Sequence, residues 1–426
     1  MARYIAALLS ILCVMGLATR AHGAGLAFND PFANQQWYLS QLHFNEAWQT
    51  LDNLGAVTPV TVAVIDSGFQ TDHVDLDNNL TGGINIVDLS NDIGPIHPHG
   101  TATAGLPGAL SGNNIGISQS ALGANVLPIR VSNRNDGAAY LSHIAAGIRY
   151  AADHGARVIN ISYSGVESAQ LEAAAAYAAS LGAVTFMAAG NDGWKYNEWT
   201  NHPHLIAVGA SNSAGQIAYF SNKGRFVDLV APGQSVTTLY PGDDYASWSG
   251  TSFSSPTAAS VAALMLMANP DLSPAQVQAL MKQTASNPSR VYDYRRANIR
   301  SKFLRADGDR KARLFAKLVR FREKAQNIRE AWGSGLIDAS AAVDAALATV
   351  GTWSGSISGD TPNLFDPTDL SRYQVAAGGR GDRLLQSMGF LDPTPLATSS
   401  IPEPGTLLLL AAAAPLLLPR RRRAAA

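Results

Sequence analysis

Six short runs rich in valine and isoleucine constrain the fold most: 60–65, 126–129, 158–161, 184–188, 205–208 and 227–230. They show little polar alternation, so they read as strands buried on both faces. Between them lie alanine-rich stretches, 140–153 and 168–181, with apolar residues three and four apart, the spacing of a helix that buries one side. Strand and helix in alternation imply a parallel sheet. The expected architecture is α/β in three layers, with a mostly parallel central sheet covered by helices on both faces. Sites in such sheets lie beyond the carboxyl ends of the strands. Further helices are expected at 252–267, with Pro256 in a first turn that tolerates a missing N–H, and at 273–284 and 339–348.

Charge is unevenly spread. The formal net charge of −1 excludes a generally nucleic-acid-binding surface. Yet residues 24–289 carry eight Lys/Arg and nineteen Asp/Glu, whereas 290–329 carry fourteen and four. The basic segment, 286–330, sets Arg290, Arg295, Arg300, Arg313 and Arg320 among Leu314, Leu318 and Phe321, whose spacing suits an amphipathic helix. It is expected to be a helical insertion folding back on the acidic body. Contact with an anionic polymer or membrane, or a site of self-cleavage, are the sharper alternatives. From about 350 to 400 the chain is rich in Gly, Ser, Pro and Asp and reads as a flexible stalk.

Both ends read as addresses. Arg3, an apolar run from 5 to 18 and small residues at Ala21, Gly23 and Ala24 form a signal peptide, 1–24, for signal peptidase. The run is short for a span, which needs ~20 residues. It holds Cys13, the one cysteine of the chain. At the far end, within 401–426, stand Pro402-Glu403-Pro404, an apolar run from 407 to 418 and Arg420 to Arg423. This resembles the PEP-CTERM sorting signal of Gram-negative bacteria. The resemblance implies a transient inner-membrane stage, cleavage by a dedicated transpeptidase, and a protein at the cell surface or outside. An ordinary short anchor is the alternative.

Four segments carry candidate chemistry. Val62-Ala63-Val64-Ile65-Asp66-Ser67-Gly68 ends a strand in a carboxylate and a glycine that lets the chain turn. His99-Gly100-Thr101-Ala102-Thr103-Ala104-Gly105 places a histidine before small residues, so a helix starting there can pack closely. Met187-Ala188-Ala189-Gly190-Asn191-Asp192 puts an amide donor at another strand end. Ser249-Gly250-Thr251-Ser252-Phe253 places Ser252 at the opening of a helix, where unpaired N–H groups and the helix dipole favour negative charge. Alone, each has a plain structural reading: a turn, a core histidine, a turn-forming Asn, a helix cap.

Together, in the order Asp66, His99, Asn191, Ser252, these segments resemble the subtilisin-like serine proteases, the subtilases. The resemblance runs from about Asp30 to Ala348, within an expected domain of 25–349. It implies a serine endopeptidase acting through an acyl-enzyme, with Ser252 the nucleophile, His99 the general base and acid, Asp66 orienting His99, and Asn191 in the oxyanion hole. It also implies that Ser162-Tyr163-Ser164-Gly165 pairs with the substrate backbone. Ala188-Ala189-Gly190 would wall the pocket for the residue before the cut, which is expected to be apolar or aromatic. No catalytic cofactor is implied. A structural calcium is, held by Asp75, Asn113 and the loop containing Leu110, Ile115 and Ile117, since hard cations take carboxylate, amide and carbonyl oxygens. Polypeptides are the expected substrates and the chain is expected to act as a monomer. Ala102 stands where the family often has a second histidine, and Ser164 where it often has glycine. No pro-segment is expected, because the catalytic region begins soon after the leader. An inactive surface-anchored scaffold of the same fold is the rival reading.

Overall fold

The computed structural model describes residues 29–55, 57–306, 308–350, 385–386 and 391–395. The expected leader and sorting tail, and most of the expected stalk, lie outside the described residues. Fourteen strands are present among those described. They are β1 (Thr61–Asp66), β2 (Ile84–Asn85), β3 (Asn125–Arg130), β4 (Ala139–Tyr140), β5 (Val158–Ile161), β6 (Val184–Ala188), β7 (Lys195–Tyr196), β8 (Leu205–Ser211), β9 (Lys223–Gly224), β10 (Leu229–Pro232), β11 (Val236–Tyr240), β12 (Asp244–Ser249), β13 (Leu385–Gln386) and β14 (Leu391–Pro395).

Seven of them form one sheet in the order β10-β8-β6-β5-β1-β3-β2. Every pairing in it is parallel. The six apolar runs all supply strands to this sheet, as their unbroken hydrophobicity requires. The last starts two residues into its apolar run, at Leu229. Asp228 just before it turns its carboxylate to the Ala207 N–H, 2.9 Å away.

Successive side chains of a strand face opposite ways, and β1 shows what that builds. Val62 and Val64 join a core with Phe253, Val261 and Leu264, on the face covered by the helices Thr251–Ala268 and His99–Gly108. Ala63 and Ile65 join the opposite core with Ile144, Ile148 and Leu171, under the helices Leu141–Asp153 and Ala169–Ser180. These are the three layers. The Thr251–Ala268 helix is buried along its whole length. Apolar residues on every side of it, not one stripe, are the sequence mark of such a helix.

β1 pairs with β3 on one side and β5 on the other. The chain therefore leaves β1 in both directions, and the crevice beyond its carboxyl end is the switch point of the sheet. Asp66 is the last residue of β1. A second, antiparallel sheet, β11-β12-β14, stands beside it, and β12 leads directly into the Thr251–Ala268 helix.

The basic segment forms two helices, Ser289–Phe303 and Gly308–Trp332, packed on each other. Leu314, Leu318, Phe321, Ala325 and Ile328 make its less exposed stripe. Its far end is tied to the body by Lys195–Glu330, 2.6 Å. No described helix is long and apolar enough to cross a membrane.

Candidate active site

Asp66 and His99 meet at the switch point. His99 opens the His99–Gly108 helix, and its Nδ1 lies 2.9 and 3.0 Å from the two oxygens of Asp66. Both side chains are fully buried. The carboxylate is held from three further donors. Ser67 gives its N–H at 2.7 Å and its hydroxyl at 3.1 Å to Oδ1, and the Thr103 hydroxyl gives to Oδ2 at 3.0 Å. A buried carboxylate so surrounded by donors fixes both the ring orientation and the Nδ1–H tautomer of its histidine. That leaves Nε2 on the opposite side of the ring.

The approach of the two elements depends on glycine. A Cβ on Gly100 would fall 2.1 Å from the Gly68 carbonyl oxygen and 3.2 Å from Asp66 Cβ. Gly68 itself has φ +108°, a conformation that side chains other than glycine's avoid.

Ser252 is the second residue of its helix, so its N–H belongs to the first turn, which has no carbonyl partner within the helix. It is buried. Its hydroxyl donates to the Ser162 carbonyl at 3.1 Å, and the Ser162 hydroxyl returns a bond to the Ser252 carbonyl at 2.8 Å. The rings of the next residue, Phe253, and of Trp248 at the end of β12 lie 5.6 and 6.3 Å from the His99 ring. The serine-bearing helix, β12 and the histidine thus share one corner.

Asn191 joins them through Thr251. Its side-chain oxygen accepts from the Thr251 N–H at 2.8 Å and hydroxyl at 3.0 Å. With the oxygen engaged there, the amide presents its NH2 end as the donor, one residue from Ser252. Gly190 adds its N–H to the Thr251 hydroxyl at 3.0 Å.

The expected substrate strand follows β5. The Tyr163 hydroxyl donates to the Gly137 carbonyl at 2.9 Å, linking that strand to the loop before β4. Burial, with the charges of Asp66 and Asp136 adding to it, pushes this phenol well above its usual range, so it stays a donor. Gly165 has φ +118°. The expected pocket wall, Ala188-Ala189-Gly190, is backed by Asn222, whose amide donates to the Ala189 carbonyl at 3.2 Å. A Cβ on Gly190 would meet that amide nitrogen at 2.3 Å.

The five expected metal residues also lie together. Asp75 accepts from the Asn113 amide at 3.0 Å and the Ile117 N–H at 3.0 Å, and its own carbonyl accepts the Leu110 N–H at 2.9 Å. The Asn113 oxygen takes the Ile115 N–H at 2.8 Å. Burial pushes the Asp75 carboxyl up to about 7, and the nearby charge of Asp30 adds to it. Among the described residues no group of three or more His, Cys, Asp or Glu converges as a metal site.

Reading the sequence missed four contributors. Thr103 could have been found, because i and i+4 share a helix face and it stands one turn beyond His99. Thr251 and Asn222 have no such signal, since their roles come from contacts across the fold. Asp30 sits by the loop expected to hold calcium, its carboxylate accepting from the Gly112 N–H at 2.8 Å and the Ser118 hydroxyl at 2.7 Å.

The chain is similar to known proteins. The subtilase family model matches residues 58–315. Thermitase of Thermoactinomyces vulgaris is 36% identical over 272 residues, 62% of this chain and 94% of its own. Subtilisin BL of Lederbergia lenta is 37% identical over 230 residues, 54% of this chain and 84% of its own. A solved protease structure from Pseudoalteromonas arctica aligns with a TM-score of 0.57 at 27% identity, over 75% of this chain and 99% of its own.

Proposed function

The chain belongs to the subtilase family and is a serine endopeptidase, and from that premise we propose that Ser252, His99, Asp66 and Asn191 carry out the reaction. A serine hydroxyl is a weak nucleophile at neutral pH and needs an adjacent base. Ser252 turns its Oγ from the Ser162 carbonyl toward His99 Nε2, which takes the proton as Oγ attacks the substrate carbonyl. Asp66 keeps the ring in place and stabilises the imidazolium. The Ser252 N–H and the Asn191 amide donate to the oxyanion; one such donor contributes about 3–4 kcal/mol to the transition state. His99 then gives its proton to the leaving amine, and water resolves the acyl-enzyme by the same relay. The observation that carries this assignment is the buried 2.9 Å Asp66–His99 contact at the switch point. The family match favours this enzyme over a non-catalytic scaffold.

The substrate backbone lies along Ser162–Gly165. The wall of Ala188, Ala189 and Gly190 bears no charge, so the residue before the cut is apolar or aromatic. Calcium suits the donor set beside Asp75. Two buried carboxylates, Asp75 and Asp30, repel each other across a loop of amide and carbonyl oxygens. Asp75, Asn113 and the carbonyls of Leu110, Ile115 and Ile117 would hold the ion, with Asp30 beside them. It would balance charge and take no part in the chemistry. The expected leader and the Pro402-Glu403-Pro404 tail support export with a membrane-held stage.

A serine-directed fluorophosphonate tests the assignment. It is expected to label the wild type and to fail on Ser252→Ala. Equal labelling of the two, or none of a well-folded wild type, refutes it. Peptide-library cleavage by the wild type reads the preference before the cut.

A further inference from the structure

The basic two-helix insertion and the body leave a cavity between them that the proposed chemistry does not use. It measures about 560 Å3, and three elements line it. Arg225 and Asp228 come from the turn between β9 and β10. Lys282 comes from the helix Pro274–Thr284. Arg322, Gln326, Arg329 and Glu330 come from the helix Gly308–Trp332. Residues three, four and seven apart share one helix face, so 322, 326 and 329 stand in a row along the cavity.

Charge is not balanced there. The lining carries four cations, Arg225, Lys282, Arg322 and Arg329, against two carboxylates, Asp228 and Glu330. Both carboxylates are buried, and each is already met by a lysine. Lys282 reaches Asp228 at 2.6 Å, and Lys195, from outside the lining, reaches Glu330 at 2.6 Å. Amides supply them further, Asn201 to Asp228 at 2.7 Å and Gln326 to Glu330 at 3.0 Å. With Lys195 counted, the cavity holds an excess of three positive charges. Arg225 and Arg322 are exposed, so a solute can reach them. Like charges gathered around one cavity repel, and a bound anion relieves that repulsion.

The arginine fork matches carboxylate and phosphate alike. The size of the cavity separates the two. The cube root of its volume is about 8 Å. Side chains on one face of an extended peptide stand ~6.7 Å apart, so an acidic peptide brings at most two charges into it. Two phosphoryl groups bring about three to four.

We propose that this cavity binds a ligand carrying two adjacent phosphoryl groups, held by Arg225 from the body and by Arg322 and Arg329 from the insertion. None of its lining residues is among the proposed catalytic or substrate-binding groups, so the inference does not rest on that assignment. The insertion supplies one wall, and a chain without it would lack the site.

Titration calorimetry of pyrophosphate into the full chain carrying Ser252→Ala, in calcium-free buffer, tests this. One site per chain is expected, weakened by added salt. Arg225→Gln and Arg322→Gln together should weaken binding at least about 100-fold, since a hydrogen bond to a charged group contributes roughly tenfold or more. Arg313→Gln and Lys317→Gln, on the same helix but outside the lining, should leave it unchanged. Circular dichroism of both pairs reads whether the helices persist. Vesicles displaying an isoprenoid diphosphate offer the same group on a surface. Co-sedimentation that pyrophosphate reverses identifies a membrane-borne ligand, and titration without co-sedimentation a soluble one. No saturable heat, undiminished affinity in the Arg225–Arg322 variant, or equal weakening by the Arg313–Lys317 pair overturns the inference and leaves the enzyme assignment standing.

Discussion

Gly100→Ala tests the closeness of the Asp66–His99 junction directly. The added methyl would sit 2.1 Å from the Gly68 carbonyl oxygen, where contacts under 3.0 Å essentially never occur. The elements must therefore part by about 1 Å. Gly68 is itself closely packed, since a Cβ built on it would fall 2.2 Å from the Gly94 carbonyl oxygen. The movement falls on the start of the His99–Gly108 helix, and so on the 2.9 Å bond from His99 to Asp66. Stretched by an ångström, that bond leaves hydrogen-bonding range. Misplacement of this size in a catalytic group costs roughly 100-fold in rate, and overpacking costs about 1–3 kcal/mol in stability. Steady-state kinetics on a peptide ester and urea unfolding read both. kcat should fall about 100-fold with KM little changed. A kcat within threefold of wild type would show that the junction yields without moving the imidazole, and the reasoning would be wrong.

Other outcomes follow from neighbouring contacts. Thr103→Val removes one charge-assisted donor from buried Asp66 and should lower stability by about 1.5–3 kcal/mol in urea unfolding, with Thr103→Ser restoring it; equal midpoints for the two variants count against the bond. Lys282 lies 2.6 Å from buried Asp228, and Lys282→Met should cost about 3–5 kcal/mol, since it leaves that carboxylate without its cation. Burial already raises the Asp228 pKa, against the lowering effect of Lys282. The folded state therefore keeps this proton to higher pH than the unfolded chain does, and stability falls as pH rises from the ordinary carboxylate value through the raised one. Lys282→Met should widen that window and steepen the fall; parallel stability curves for variant and wild type between pH 4 and 8 exclude it. Adding calcium should raise the thermal midpoint in wild type, by a stability of about 2.7 kcal/mol at one hundred times Kd, and not in Asp75→Asn; a chelator-treated sample that melts with the calcium-loaded one rules the site out.

The sequence disclosed the parts of the fold that bury continuous apolar surface. β5 and β6 begin and end where their apolar runs do, because both faces of a parallel strand must be hydrophobic. The same physics hid the rest. β4 has two residues and no pattern to read. β12 spells Asp-Tyr-Ala-Ser-Trp-Ser, half polar, since it belongs to a small sheet at the rim. Of the four residues proposed for the reaction, Asp66 ends a strand and His99 and Ser252 open helices, but each alone has a plain structural reading, and only their order and the resemblance to the subtilases single them out. Thr251 was not legible, because its work is to hold the Asn191 oxygen across the crevice, a contact that no local spacing encodes.

β13 and β14 are the extreme case. Their composition, with Arg380-Gly381-Asp382 before them and Pro393 and Pro395 within, reads as a linker, because strands held through the main chain need no alternation of side chains. The pairings of Leu385 with Tyr140 and of Leu391 with Ser249 are fixed by the register of the backbone, which no side-chain pattern announces.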